Sequence, residues 1–258
     1  VEGIFVREGR LSPPLPPATA FARAHLGLWR LVRSSLLLAG GLLGCSPITS
    51  TPPLPQGDAQ LVAAGHSHAC VLTGSGEVRC WGAGGLVGDA TRAPRLQPVQ
   101  VSGLGWGVVA VGAGVAHTCA LTTAGAVQCW GNGALGQMGT GTTDDALAPT
   151  QVFSESVTSL ATGDNHVCAL RPLGDVWCWG DNHSWQLGSG AGATSAVPVR
   201  VAGLPDGIRS VAAGAAHSCV VTGQGAALCW GSNEFGQLGN GTVGGLVATP
   251  TAVSLPGP

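Results

Sequence analysis

Eight of the nine cysteines in this chain fall into four pairs with one spacing: Cys70 and Cys80, Cys119 and Cys129, Cys168 and Cys178, Cys219 and Cys229. Trp-Gly directly follows the second member each time, as Trp81-Gly82, Trp130-Gly131, Trp179-Gly180 and Trp230-Gly231. A histidine stands two residues before the first member: His68, His117, His166 and His217. Paired thiols so placed can cross-link, lie buried and free, or ligate a metal. Metal-binding cysteines are usually spaced far more tightly. Each histidine shares a strand face with its cysteine, which raises the idea of a metal ring. A polar residue repeated in every copy fits packing between copies better, with its ring nitrogens bonded to backbone. No metal site is expected.

Those residues must be positioned by one unit copied in tandem. The four tryptophans lie 49, 49 and 51 residues apart, a period in the range of propeller blades. Within the second copy, Pro98-Val99-Gln100-Val101, Val108-Val109-Ala110-Val111, His117 to Thr122 and Ala126 to Gly131 read as short strands broken by glycine turns. That pattern argues an all-β fold. Each cysteine pair is symmetric about a three-residue turn ending in glycine, such as Thr123-Ala124-Gly125. Glycine there supplies the positive φ that such a hairpin loop requires. Residues symmetric about a hairpin face each other at about 4.5–5.5 Å between Cα atoms, close to the roughly 4.4–6.8 Å of disulfides. In an oxidising compartment the eight cysteines are therefore expected to form four cross-hairpin bridges.

Composition limits the partners. The chain holds no lysine, and its eleven arginines stand against thirteen acidic residues. Past Cys45 six arginines face eleven acids, a net of −5. An acidic, lysine-free region is a poor phosphate binder, so no nucleic-acid partner is expected. There is no nucleophile–base signature, and adjacency of Ser and His in sequence is not a triad. No glycine-rich phosphate loop leads into a helix. No cofactor is expected. Asp144, Asp145 and Asp181 lack the spaced oxygen set of a cation site.

The N-terminal region reads as an address. Arg30 and Arg33 precede the apolar run Ser34 to Gly44, then Cys45. Eleven residues are too few to span a bilayer as a helix, and the layout is that of a secretory signal. Leu42-Leu43-Gly44-Cys45 resembles the bacterial lipobox, which implies lipidation of Cys45 and membrane attachment through it. Residues 1–24 read as an upstream extension, 25–44 as the signal segment, 45–58 as a Pro- and Ser/Thr-rich tether and 59–258 as the four-repeat domain. Ser46 is compatible with outer-membrane sorting. An exported protein of a bacterial cell envelope is expected, with secretion as the alternative.

After each Trp-Gly the later copies read Asn132-Gly133-Ala134-Leu135-Gly136-Gln137-Met138-Gly139, Asp181-Asn182-His183-Ser184-Trp185-Gln186-Leu187-Gly188 and Ser232-Asn233-Glu234-Phe235-Gly236-Gln237-Leu238-Gly239. Together with Ala64-Gly65, Ala113-Gly114, Thr162-Gly163 and Ala213-Gly214 before the histidines, this ensemble resembles the regulator-of-chromosome-condensation repeat, in its cysteine-bearing bacterial form. The resemblance covers about residues 59–255 and implies a β-propeller of four-stranded blades, usually seven. The chain departs from that pattern. Copy one lacks the Gly-Gln-Leu-Gly end, Trp185 replaces a glycine, and only four copies exist. Sixteen strands are expected. They fit an open arc of a sevenfold-like ring, with a closed four-bladed ring, its last strand completing the first blade, as the alternative. An open arc exposes an apolar blade face and so predicts self-association.

The repeated His and Trp residues are expected to pack between blades. The aromatics outside the shared pattern, Trp106, Trp177, Trp185, Phe153 and Phe235, are the candidates for contact with a partner, against the plainer reading that they fill local gaps. The leading expectation is a protein-binding or scaffold module without catalysis. The resemblance also implies a guanine-nucleotide exchange factor as an alternative, although the even repeat spacing leaves no room for that family's inserted β-wedge. A hydrolase or lyase acting at the propeller mouth is the third reading.

Overall fold

The computed structural model of the protein describes residues 58–190 and 192–255. Cys45, the signal segment and the tether before Asp58 lie outside the described residues. Short runs of Val, Ala, Cys and Leu between glycine turns form sixteen strands. β1 (Ala59–Ala64), β2 (His68–Thr73), β3 (Val78–Gly82) and β4 (Arg95–Gln100) make the first sheet. The second holds β5 (Val108–Ala113), β6 (His117–Thr122), β7 (Val127–Gly131) and β8 (Ala146–Phe153). The third holds β9 (Ser159–Thr162), β10 (His166–Leu170), β11 (Val176–Gly180) and β12 (Ser195–Arg200). The fourth holds β13 (Ile208–Ala213), β14 (His217–Thr222), β15 (Ala227–Ser232) and β16 (Leu246–Ala252). Every pairing is antiparallel between neighbours in sequence, so each sheet is a meander, or blade.

The blade boundary is displaced from the sequence repeat. The first strand of each copy joins the hairpin of the preceding copy, as Val99 opposite Cys80 shows. The last strand, β16, likewise pairs with β15 of its own blade. It does not complete the first blade, so the closed four-bladed alternative loses its closing strand. Inner strand β1 touches β5, β5 touches β9 and β9 touches β13. No contact of that extent joins β13 to β1 among the described residues. The four blades form an open arc.

Alternation along the strands gives every blade two faces. One carries the cysteines and faces the next blade; the other carries the Trp and faces the preceding blade. Each of the three seams holds one apolar cluster. Cys70, Leu72, Val78 and Cys80 meet Ala120 and Trp130 in the first. Cys119, Leu121, Val127 and Cys129 meet Val167, Ala169 and Trp179 in the second. Cys168, Leu170, Val176 and Cys178 meet Val220 and Trp230 in the third. Each seam Trp is fully buried. Its indole N–H donates across the seam: Trp130 Nε1 to Leu86 O (3.1 Å), Trp179 Nε1 to Gln137 O (3.0 Å) and Trp230 Nε1 to Gln186 O (2.9 Å). A buried indole with a satisfied N–H is a strong local anchor, and its truncation to Ala costs about 3–5 kcal/mol.

Candidate functional site

The cysteine pairs sit directly opposite on their own hairpins and are bonded as Cys70–Cys80, Cys119–Cys129, Cys168–Cys178 and Cys219–Cys229. Their Cα atoms lie 4.1 Å apart, closer than hairpin spacing alone suggests. The turn glycines Gly76, Gly125, Gly174 and Gly225 all have positive φ, as the loop demands. The third turn differs: Pro172–Gly174 forms a short 3₁₀ turn with Leu173 itself left-handed (φ 70°) and exposed.

The repeated histidines lie on the cysteine face of each blade, yet their partners are not backbone groups. His68 Nε2 is 2.7 Å from Thr118 Oγ1, and His166 Nε2 is 2.8 Å from Ser218 Oγ, each across a seam. Ser218 Oγ spends its one hydrogen on Gln186 O (2.9 Å). It can therefore only accept from His166, which fixes the Nε2–H tautomer there. His117 is fully buried and neither ring nitrogen has a partner among the described residues. At Nε2 the cause is one residue: the position filled by Thr118 and Ser218 in the other two seams is Val167 in the second. Nδ1 is unpaired in His68 and His166 as well. Burial pushes the His117 imidazole down to about 3, with the neighbouring His166 and His68 adding to the effect. Burial likewise lowers His166 to about 4 and depresses His68 and His217. These rings are neutral struts. Among the described residues no group of three His, Cys, Asp or Glu side chains could hold a metal ion.

Strand directions place the turns at two ends. At the rim end lie the tight β1–β2, β5–β6, β9–β10 and β13–β14 turns and the long loops that follow each Trp-Gly. At the hairpin end lie the cysteine-hairpin turns and the connections between blades. At the rim end Ala64, Gly65 and His66, with Gly114, Gly163, Asp164 and their counterparts, line a mouth of about 390 Å3 along the inner strands. The turns are tied blade to blade: His66 N donates to Val115 O (3.3 Å), Val115 N to Asp164 O (2.9 Å) and Asp164 N to Ala215 O (3.3 Å).

The long loops around this mouth are braced by their own side chains. Gln137, Gln186 and Gln237 each accept through Oε1 from the backbone N–H two residues earlier, at Leu135, Ser184 and Phe235. Asn182 and Asn233 Oδ1 accept from Leu187 N and Leu238 N. Asp181 accepts from His183 N (3.1 Å), from the His183 ring and from Gln186 Nε2 (3.0 Å). Partial burial would raise its carboxyl, but these hydrogen bonds outweigh it and hold Asp181 below the usual carboxylate range.

The five contact candidates are not brought together. Phe235 stands 83% exposed on the fourth rim loop. Trp185 is half-buried on the third, in a left-handed conformation (φ 63°) that Gly136 and Gly236 adopt in the sister loops. Trp106 is 81% exposed but at the hairpin end, in the β4–β5 connection. Phe153 belongs to the second seam instead: it packs edge-on against Trp179 (6.0 Å between centroids) with the Arg171 guanidinium over its ring, and Trp177 is half-buried on β11 with its N–H enclosed. Thr118, Ser218 and the loop-bracing glutamines were not singled out from sequence. The hydroxyls could have been, since they fall immediately after a repeated histidine.

Blades of four-stranded meanders with one Trp lock per seam define a propeller-type repeat module. Models of the regulator of chromosome condensation (RCC1) repeat match residues 60–85, 108–137, 157–186 and 208–237 in one form, and 124–170, 174–221 and 224–257 in another. The chain belongs to the RCC1 repeat family. Yeast RCC1 (Prp20) bound to Kap60 is similar in structure, with a TM-score of 0.68 at 24% identity over 79% of this chain and 50% of that one. Human WBSCR16 gives 0.65 at 26% identity, over 75% and 51%. Prp20p from Saccharomyces cerevisiae, studied for its binding to Gsp1p and histones, gives 0.55 at 20%, over 76% and 63%. The chain spans about half the length of the first two. No curated protein sequence matches it.

Proposed function

We propose that this chain is an exported, lipid-anchored, non-catalytic module that binds another protein through its rim end. The observation that carries the reading is Phe235: a large apolar ring, 83% exposed, on a loop whose backbone Gln237 and Asn233 hold rigid. A rigid exposed aromatic loses little entropy on docking and is a typical binding anchor. Trp185 on the adjacent loop adds weight. It accepts a left-handed backbone that costs a bulky residue roughly 1–3 kcal/mol, where glycine would relax it. The four disulfides favour an oxidising location, and Cys45 is the proposed lipid attachment point. The acidic, lysine-free repeat region argues against a nucleic-acid partner.

The test is recovery of envelope proteins on the immobilised chain, wild type beside Phe235→Ala and Trp185→Gly. A protein retained by the wild type and lost from Phe235→Ala supports the reading. Equal recovery on both, or turnover of generic hydrolase substrates, overturns it.

A further inference from the structure

At the hairpin end, the third blade opens a cleft where the first blade is closed. The connections to the next blade match position for position: Val101-Ser102-Gly103-Leu104-Gly105-Trp106-Gly107 after β4, and Val201-Ala202-Gly203-Leu204-Pro205-Asp206-Gly207 after β12. Their glycines agree in backbone, with φ 75° at Gly103 and Gly107 against 71° at Gly203 and 77° at Gly207. In the first connection Leu104 N donates to Val101 O (3.2 Å) and Leu104 O accepts from Val78 N (2.9 Å), and Leu104 is only 2% exposed. In the third, Val201 N still donates to Val176 O (2.9 Å), but Leu204 makes neither bond and stays half-buried. Pro205 supplies the reason. It restricts Leu204 to extended backbone. It also puts a Cβ where one on Gly105 would meet Gln100 Nε2 at 2.6 Å. Arg200, the counterpart of Gln100, turns to Asp175 instead, with Nε 3.0 Å and Nη2 2.6 Å from Oδ1.

The cleft holds about 280 Å3 and is lined by Leu173, Asp175, Arg200, Leu204, Pro205 and Asp206 with the backbone between them. Every lining residue belongs to the third blade or its link to the fourth, and that blade is packed on both sides. The volume falls just below the roughly 300–1,000 Å3 of small-molecule sites and suits one long side chain. Its unused polar groups are acceptors. Both Arg200 bonds go to Oδ1 of Asp175, leaving Oδ2, and Asp206 has no ion-pair partner among the described residues. At the edge Leu173 is 90% exposed and left-handed, a backbone that glycine adopts far more readily. Its counterparts Ser75, Ala124 and Gln224 are small or polar and not left-handed.

We infer that this cleft seats a lysine or arginine side chain of a partner protein. The stem lies along Leu204 and Pro205, the charge reaches Asp175 and Asp206, and an apolar neighbour in the partner covers Leu173. Long basic side chains pair an apolar stem with a charged head in this way. Charge selects the same occupant, since past Cys45 six arginines face eleven acids and there is no lysine. The cleft lies at the opposite end of the blades from Phe235, so it is a second contact and does not rest on the rim.

The test titrates the isotope-labelled 258-residue chain with the peptide acetyl-Leu-Lys-Leu-amide and follows backbone amide shifts. Saturable shifts are expected at Val176, Leu204 and Asp206. Asp206→Asn, an exposed position, should weaken the peptide about threefold or more, the scale of an exposed ion pair. Pro205→Gly restores the Leu-Gly of the first connection, so it should close the cleft and weaken binding as well. Phe235→Ala should bind the peptide like wild type, which separates this contact from the rim. Failure to saturate, equal affinity for acetyl-Leu-Gln-Leu-amide, or the same shifts from calcium chloride alone would each overturn the assignment. So would undiminished binding by Asp206→Asn or Pro205→Gly, or a loss in Phe235→Ala.

Discussion

A single hydroxyl decides whether a seam histidine has a partner at Nε2. His68 has Thr118 and His166 has Ser218, while His117 meets Val167 and has no partner among the described residues; Nδ1 is buried and unpaired in all three. Thr118→Val should therefore cost about 1–3 kcal/mol, because it leaves a buried ring nitrogen without a partner. Val167→Thr should do the opposite and stabilise by about 0.5–1.5 kcal/mol, both read from denaturant midpoints. The same rings set an acid limit. His117 and His166 are held at about 3 and about 4 in the folded chain, below an unfolded value of about 6.5. Their folded pKa values are depressed, so the unfolded chain takes up protons first as the pH falls. Stability is full above about 6.5 and is lost from there down toward 4, at about 1.4 kcal/mol per pH unit for each ring. Thermal midpoints recorded between pH 7 and pH 4 should fall steadily, and a flat profile would show these rings to be solvated. The histidines were legible in sequence as packing residues. Their partners were not, because a partner lies in the next copy at an offset that only the seam geometry sets.

At the scale of the hairpin, the disulfides are alike in bonding and unlike in shelter. Cys70–Cys80, Cys119–Cys129 and Cys168–Cys178 are wholly buried beneath the following blade, while Cys219 is half-exposed on the fourth. A reductant must reach a sulfur to exchange with it. Brief treatment of dilute protein should thus label Cys219 and Cys229 first, and peptide mapping after alkylation would show it. Equal labelling of all four pairs would mean that the seams open together. Each bridge closes a short loop and contributes roughly 2–3 kcal/mol in the chain-entropy view. The hairpins themselves were written plainly in sequence: nine residues between cysteines, centred on a turn with glycine third. Blade boundaries were less plain. Strand signals such as Pro98 to Val101 gave the element but not its neighbour. A repeat cut at any strand has the same period, and only the pairing of Val99 with Cys80 fixes where a blade ends. The contact aromatics were the least legible. Phe153 and Phe235 are both unrepeated phenylalanines, and nothing local separates the ring that packs on Trp179 from the ring that faces solvent.

The whole arc behaves as a short one-dimensional stack, in which each blade is stabilised by its own core and by the seams it shares. Blades two and three share two seams each; blades one and four share one. A seam is not a small contribution, since each internal one buries a tryptophan and five to seven further large apolar side chains. Local opening should therefore begin at the ends. Amide exchange followed by mass spectrometry should find the slowest amides in β6, β7, β10 and β11, and faster exchange in β2, β3, β14 and β15 at the same position within the blade. Trp130→Ala should split the molecule's behaviour rather than merely lower its stability. It removes the lock between blades one and two, so exchange should accelerate throughout blade one while blades three and four keep their rates. Uniform acceleration across all sixteen strands would instead mean that the arc opens as a single cooperative body, which a stack held by nearest-neighbour seams should not do.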